Sequence, residues 1–258
     1  MEYIVYNTSR NKGKYRERRD GLKEEKKLMR HERKYLLSYA KYIELRQRLK
    51  AVLHPDENMQ ENEDYFIRSI YLDDIHNSAY QEKMAGVSNR KKYRIRSYNY
   101  DVAVIKLECK EKQGSRIHKE SVLIDHECCE QIIHHQSFQG LEHRSEDLCK
   151  EVYTTGHEKG FHTSVIVDYD REAYVYPVSN VRITFDKDLH VGGIDSFSMD
   201  SKDLVTVPIY SNREVILEVK YDDVLPEYIR QLLSSHLGTA LSISKYCICK
   251  ERLEVITG

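Results

Sequence analysis

The sequence predicts an α+β fold, an antiparallel β-sheet able to close into a barrel with helices packed outside. Three observations predict it. Short segments along most of the chain alternate charged with apolar side chains, they follow one another in hairpin order, and helix-period stretches stand at the start, middle and end. In an extended strand, residues two apart share a face about 7 Å apart. Lys92, Arg94 and Arg96 therefore lie on one face and Tyr93, Ile95 and Ser97 on the other, and Lys106, Glu108, Lys110 and Lys112 oppose Ile105, Leu107 and Cys109.

In chain order, Arg30–Leu37 (RHERKYLL) reads as a strand with Arg30, Glu32 and Lys34 on one face. Ser38 can cap a helix whose Tyr42, Leu45 and Leu49 recur at helical spacing, and His54-Pro55 ends it. Tyr65–Asp73 is a strand, Ser78–Met84 a short helix, and Gly86 a turn. The strands on either side of an Asn99–Asp101 turn follow, then a Gln113-Gly114 turn and the strand Arg116–Ile124. Asp125 caps a helix through about Gln136 that turns Ile132 and Ile133 inward and carries His134 and His135 near its C-terminal end, where they complement the dipole. Glu142–Thr155 is helical or irregular. Thr163–Tyr176, Val181–Asp186 and Glu214–Tyr221 are strands by alternation and β-branched content, with a turn region at Leu189–Ser196. Pro226 opens a helix through about Leu237, Gly238 ends it, and Ser242–Val255 closes the chain.

The 258 residues, 40% hydrophobic and 32% charged, suffice for one large domain, expected over 30–258. Residues 1–29 are charged and poor in apolar groups, the composition of a mobile leader; a basic arm for nucleic acid or anionic lipid is the sharper alternative. Lys and Arg number 41 against 42 Asp and Glu, yet residues 1–50 hold 16 basic and 7 acidic residues, so the remainder is acidic overall. That balance argues against an all-over cationic surface for duplex nucleic acid while leaving room for local basic sites. The six cysteines show no C-x-x-C pair, and adjacent Cys128 and Cys129 match zinc-site spacing poorly, so reduced thiols are expected. No apolar run approaches the roughly 20 residues of a membrane span, and Met1–Asn11 lacks the apolar core of a signal peptide, which predicts a cytoplasmic protein.

A charged face on one strand is ordinarily a solvated face. Here it recurs: Arg30/Glu32/Lys34, Arg94/Arg96, Glu108/Lys110, Lys119, Arg171, Arg182 with Thr184 and Asp186, and Glu218/Lys220 all lie opposite apolar neighbours. In a barrel clad by helices the apolar faces meet the helices and the charged faces line the lumen. Cations facing one another there need an anion, because burying them unpaired is costly. Their types suit phosphate, which Arg grips bidentately and Lys holds as a point charge. The few glutamates suit Mg²⁺ or Mn²⁺, which bind through one or two carboxylates plus phosphate oxygens.

RHERKY at 30–35, SIYLD at 69–73, KKYRIRSY at 91–98, LECK at 107–110, YDREAY at 169–174, VRITFD at 181–186, LEVK at 217–220 and SKY at 244–246 together resemble the VTC domain, the polyphosphate polymerase branch of the CYTH-like triphosphate tunnel metalloenzymes. The resemblance spans residues 30–250 and implies an eight-stranded antiparallel tunnel that binds nucleoside triphosphate and, in the eukaryotic polymerases, grows polyphosphate from ATP. It assigns phosphate contacts to Lys34, Arg94, Arg96, Lys110, Lys119, Arg171, Arg182, Lys220 and Lys245, and metal to Glu218 with Glu32 and Glu108 as further candidates. Arg30 stands where the related CYTH branch opens its E-x-E-x-K with Glu. The eukaryotic polymerases also carry a phosphate-sensing domain and membrane helices where this chain has its leader.

The expected chemistry is metal-assisted phosphoryl transfer. Tunnel cations, with Arg94, Arg96 and Lys220 foremost, hold ATP, Glu218 holds Mn²⁺ or Mg²⁺, and a phosphate acceptor attacks the γ-phosphorus in line. No catalytic nucleophile is required, in keeping with the lack of a G-x-S-x-G elbow, a Walker A loop and an H-E-x-x-H helix. The alternatives are a triphosphatase with water as acceptor and a non-catalytic module that binds polyphosphate or nucleotide. No specific nucleic-acid partner is expected.

Overall fold

The computed structural model describes residues 29–59, 64–193, 196–234 and 237–258; the leader expected over residues 1–29 falls outside them but for Met29. Among the described residues the order is β1 (Arg30–Leu37), α1 (Tyr39–Lys50), β2 (His54–Pro55), β3 (Tyr65–Asp73), α2 (Ser78–Met84), β4 (Asn89–Tyr98), β5 (Asp101–Gln113) and β6 (Arg116–Ile124). The chain continues through α3 (His126–His135), α4 (Asp147–Lys159), β7 (His162–Tyr176), β8 (Val181–Gly192), β9 (Val207–Pro208), β10 (Val215–Tyr221), α5 (Glu227–Ser234) and α6 (Lys245–Thr257).

Local chemistry sets the boundaries. Ser38 and Asp125 accept the backbone N–H groups of Lys41 and Cys128 and start α1 and α3. Asn99 and Tyr100 both have positive φ (52° and 60°), the twist a two-residue hairpin turn demands. Asn99 pays no penalty alone here, since its Oδ1 accepts from Phe66 N at 2.9 Å and its N–H donates to Phe66 O, tying the β4–β5 turn to β3. Replacing Asp125 by Ala removes the α3 cap and is expected to cost about 1 kcal/mol, lowering the melting temperature by about 2–4 °C; a calorimetric scan measures it, and an unchanged melt would mean that packing of Ile132 and Ile133 alone holds the helix.

The sheet closes. Hydrogen bonds run round β3, β4, β5, β6, β1, β10, β8 and β7 and return to β3, an antiparallel ring of eight strands to which β2 and β9 add short edges. The seam between β6 and β1 is the narrowest, with only Arg30↔Ile117 and His31↔Arg116 in register. On one flank, Ile70, Leu72, Ile95, Ile105 and Leu107 point outward and pack under Ile132 and Ile133 of α3 and Leu148 and Val152 of α4. On the other, Ile183, Phe185, Leu217 and Val219 meet Tyr42, Leu45 and Leu49 of α1 and Ile229 and Leu233 of α5. The opposite faces of the same strands turn into the lumen.

Three expectations change. The turn region placed at Leu189–Ser196 is strand as far as Gly192: Asp188 takes a positive φ of 47° and the register slips between Asp168 and Asp170, a bulge that lets β8 continue beside β7. The helix opened by Pro226 is described over Glu227–Ser234, and Leu237, expected at its end, begins a stretch over 237–244 without helix or strand. Not every helix lies outside. Tyr246, Cys247 and Cys249 of α6 pack against Ile67, Val165, Val167, Leu189, Val191 and Ile216, all on lumen faces, so α6 enters one end of the barrel. Tyr246 stacks on Tyr71 with centroids 5.0 Å apart and donates its hydroxyl to Asp73.

Candidate functional site

The rest of the lumen is one cavity of about 750 Å³. Strand alternation aims Lys34 of β1, Arg94 and Arg96 of β4, Lys110 of β5, Lys119 of β6, Arg171 of β7, Arg182 of β8 and Lys220 of β10 at it, and Lys245 reaches it from the first turn of α6. All nine cations assigned to phosphate thus line a single space. Glu32 and Glu218 line it as well. Glu108 lies beneath Arg94 and Arg96, 1% exposed.

Each carboxylate organises its own group of cations. Glu108 accepts from Arg94 Nε and Nη2 (2.8 and 2.7 Å) and from Lys119 Nζ at 2.9 Å, with Arg96 Nη1 at 3.6 Å. Asp186 takes a bidentate pair from Arg171 (2.6 and 2.9 Å) and an ion pair from Lys245. Asp56 holds Arg182 at 2.9 Å, and Tyr65 accepts from the same guanidinium at 3.0 Å. Glu32 and Glu218 share their lysines: Lys34 lies 3.2 Å from Glu32 and 3.4 Å from Glu218, Lys220 lies 3.7 and 2.7 Å from them, and Lys110 bonds both oxygens of Glu32 at 2.8 Å. This follows from the β1–β10 register, which sets Glu32 beside Lys220 and Lys34 beside Glu218.

These neighbours decide the protonation states. Burial and the Glu218 charge push the Glu32 pKa up, but Lys110, Lys34 and Lys220 prevail and hold it at about 2. Burial likewise opposes ionisation of Glu218 and Glu108, and their cations keep both well below the usual carboxylate range. Lys110 goes the other way. Burial lowers its pKa from 10.5 to about 7, with Glu32 only partly compensating.

A bound polyanion favours the Lys110 ammonium, so at pH about 8 anion binding should take up close to one proton, and affinity should fall by up to about tenfold per unit as pH rises above 7. Calorimetric titration of tripolyphosphate in buffers of different ionisation enthalpy reads this directly; no uptake would mean that Lys110 is already charged. The two signs differ for stability. The depressed carboxylates contribute stability above pH about 4.5 that is lost as pH falls through their folded values. Lys110 imposes its cost below pH about 7, and the cost fades as pH rises from there towards 10.5.

A divalent cation fits only part of this arrangement. Glu32 and Glu218 are two lumen-facing carboxylates on adjacent strands, a donor set for an ion that completes its shell with phosphate and water oxygens. Among the described residues no three His, Cys, Asp or Glu side chains gather as a self-sufficient site, so Cys128 and Cys129, buried against the barrel, and His134 and His135 form none. Both oxygens of Glu108 already accept from Arg94 and Lys119, which makes it an anchor for cations. Sequence reasoning missed the part played by Asp186, although its position two residues beyond Thr184 on the Arg182 face was the available signal, and it missed the lining tyrosines Tyr65, Tyr71 and Tyr169. Tyr71 and Tyr169 hydroxyls accept from Arg94 and Arg96 at 3.0 Å each.

Among solved structures, an adenylate cyclase candidate from Bacillus halodurans shares 13% identity at a TM-score of 0.49 over 81% of this chain and 90% of that one. One from Vibrio parahaemolyticus shares 11% at a TM-score of 0.45 over 86% and 98%. No curated protein matches the sequence. No helix among the described residues is long and apolar enough to cross a membrane. Residues 29–253 match the VTC domain model, nearly the whole barrel with its helices, and the chain belongs to the VTC domain family.

Proposed function

We propose that this chain synthesises polyphosphate from ATP, transferring the γ-phosphoryl group to a phosphate-chain acceptor inside the barrel. One observation carries the reading: nine cations from seven strands and α6 converge on one cavity whose carboxylates are fewer and mostly spent on orienting them. Arg94 and Arg96, braced from below by Glu108 and from the side by Tyr71, Ser69 and Tyr169, are held in fixed directions before any ligand arrives. Preorganised charge of this kind stabilises the oxygens of a transferring phosphoryl group at little reorganisation cost. Lys34, Lys110 and Lys220 hold phosphate oxygens near Glu32 and Glu218, while Arg171, Lys245 and Arg182 extend the cationic wall. The carboxylates that would hold a divalent cation are Glu218 and Glu32, and such an ion, Mn²⁺ or Mg²⁺, would supply further neutralisation of phosphate charge there.

No side chain has to become a nucleophile, because positioning the acceptor in line carries most of such a transfer. The six cysteines, all buried and unpaired, fit a reducing compartment and support a cytoplasmic location. Incubating the protein with ATP and Mn²⁺ and separating the products tests the reading. Long phosphate chains are expected. Orthophosphate or pyrophosphate alone would make the protein a hydrolase, and tight binding without turnover would make it a binding module.

A further inference from the structure

At the end of the barrel where α6 enters, Lys83, Arg90, Lys92 and Lys112 line the cavity, and among the described residues none of the four has a carboxylate within ion-pair distance. The contrast with the interior is sharp: there Glu108, Asp186, Asp56 and the Glu32/Glu218 pair answer the cations group by group. Cross-strand pairing puts Arg90 directly opposite Lys112, like charge on like. Lys83 comes to the same mouth from α2, and its ammonium and that of Lys92 donate to Ser242 and Ser244 hydroxyls at 2.9 Å. All four side chains are half-buried.

Facing like charges are destabilising in a sheet, and here the repulsion is felt. Burial and Arg90 lower the pKa of Lys83, and burial, Arg90 and Lys83 lower that of Lys112. At the opposite mouth Asp56 holds Arg182, and the Lys106 ammonium lies over the Tyr98 ring, 5.3 Å from its centroid. We infer that the mouth built by Lys83, Arg90, Lys92 and Lys112 is a second anion subsite, which takes phosphate units of a linear chain beyond those held in the tunnel and makes the protein select long polyphosphate over triphosphate. This rests on the tunnel being a phosphate site, as proposed above. Neutralising the cluster relieves repulsion already present in the free protein, so the gain appears only with a ligand long enough to reach it.

Binding of inorganic tripolyphosphate and of long-chain sodium polyphosphate to the wild type and to Lys83→Gln/Arg90→Gln/Lys112→Gln tests the assignment. The wild type should bind the long chain at least about tenfold tighter, a difference of about 1.4 kcal/mol. The triple variant should lose that preference while keeping its tripolyphosphate affinity, which also reports that it is folded. By analogy with other linear polyanions, the slope of log affinity for the long chain against log salt should fall by about two units when three charges go. Lys83→Gln alone, on a helix outside the barrel wall, should lose part of the preference. A triple variant that keeps its preference, or that weakens both ligands equally, overturns the subsite. So does a wild type that binds tripolyphosphate but shows no preference for the long chain. A wild type that binds neither overturns the phosphate tunnel itself.

Discussion

Glu218→Gln should lower Mn²⁺- or Mg²⁺-dependent turnover at least a hundredfold, about 2.7 kcal/mol of barrel-held charge stabilisation, while the protein still folds, with a lower melting temperature because Lys34 and Lys220 lose a charged partner. The amide keeps the shape of the side chain and can still accept from Lys220, 2.7 Å away, so the barrel can still close around it. Lost is the second carboxylate beside Glu32, leaving one where two stood. Metal-free binding of ATP should not weaken, since a negative charge has been taken from a cationic cavity. Turnover that saturates with metal as in the wild type would sink the assignment of Glu218 and move the metal to Glu32.

The second large effect belongs to Arg94 and Arg96. Hydrogen bonds to charged groups contribute roughly 1.5–3 kcal/mol each, so the double change to Ala should weaken ATP binding by more than about a hundredfold. The same change strands Glu108, which is buried and left with Lys119 alone; breaking a buried pair costs roughly 3–5 kcal/mol. Adding Glu108→Gln to the double variant separates the two effects. Stability should return in large part and ATP affinity should not. If affinity returned with stability, the two arginines would serve the fold and leave phosphate to other residues.

How far the molecule could be read from its sequence depended on where neighbours lie along the chain. β1, β4, β5 and β6 were legible because each carries its own alternation, and the sides of Arg94, Glu108 and Lys119 follow from counting by twos. The end of β8 was not, because Asp188 bulges and Gly192-Gly193 reads as a turn, whereas pairing with β7 keeps the segment extended. Nor was the place of α6. Buried Lys245 and Lys250 sit on the helix among buried Tyr246, Cys247 and Cys249, a pattern without a clean apolar stripe, since the surroundings it meets are themselves part polar, with Asp186 and Ser164 accepting from its lysines. The candidate cations were legible as a set. Their grouping around particular carboxylates was not, because Lys34–Glu218 and Glu32–Lys110 depend on which strands become neighbours when the ring closes.

That closure has a consequence for how the protein acquires its site. β1 and β10 are among the strands farthest apart in sequence, and their pairing brings Glu32, Lys34, Glu218 and Lys220 together. Contacts between distant parts of a chain form slowly, because loop-closure entropy is spent before they return any stabilisation. Local hairpins such as β4–β5 and β5–β6 can form early with Arg94, Glu108 and Lys119 already in register. In a refolding experiment, phosphate affinity should therefore lag behind the recovery of strand signal and return with the slowest phase.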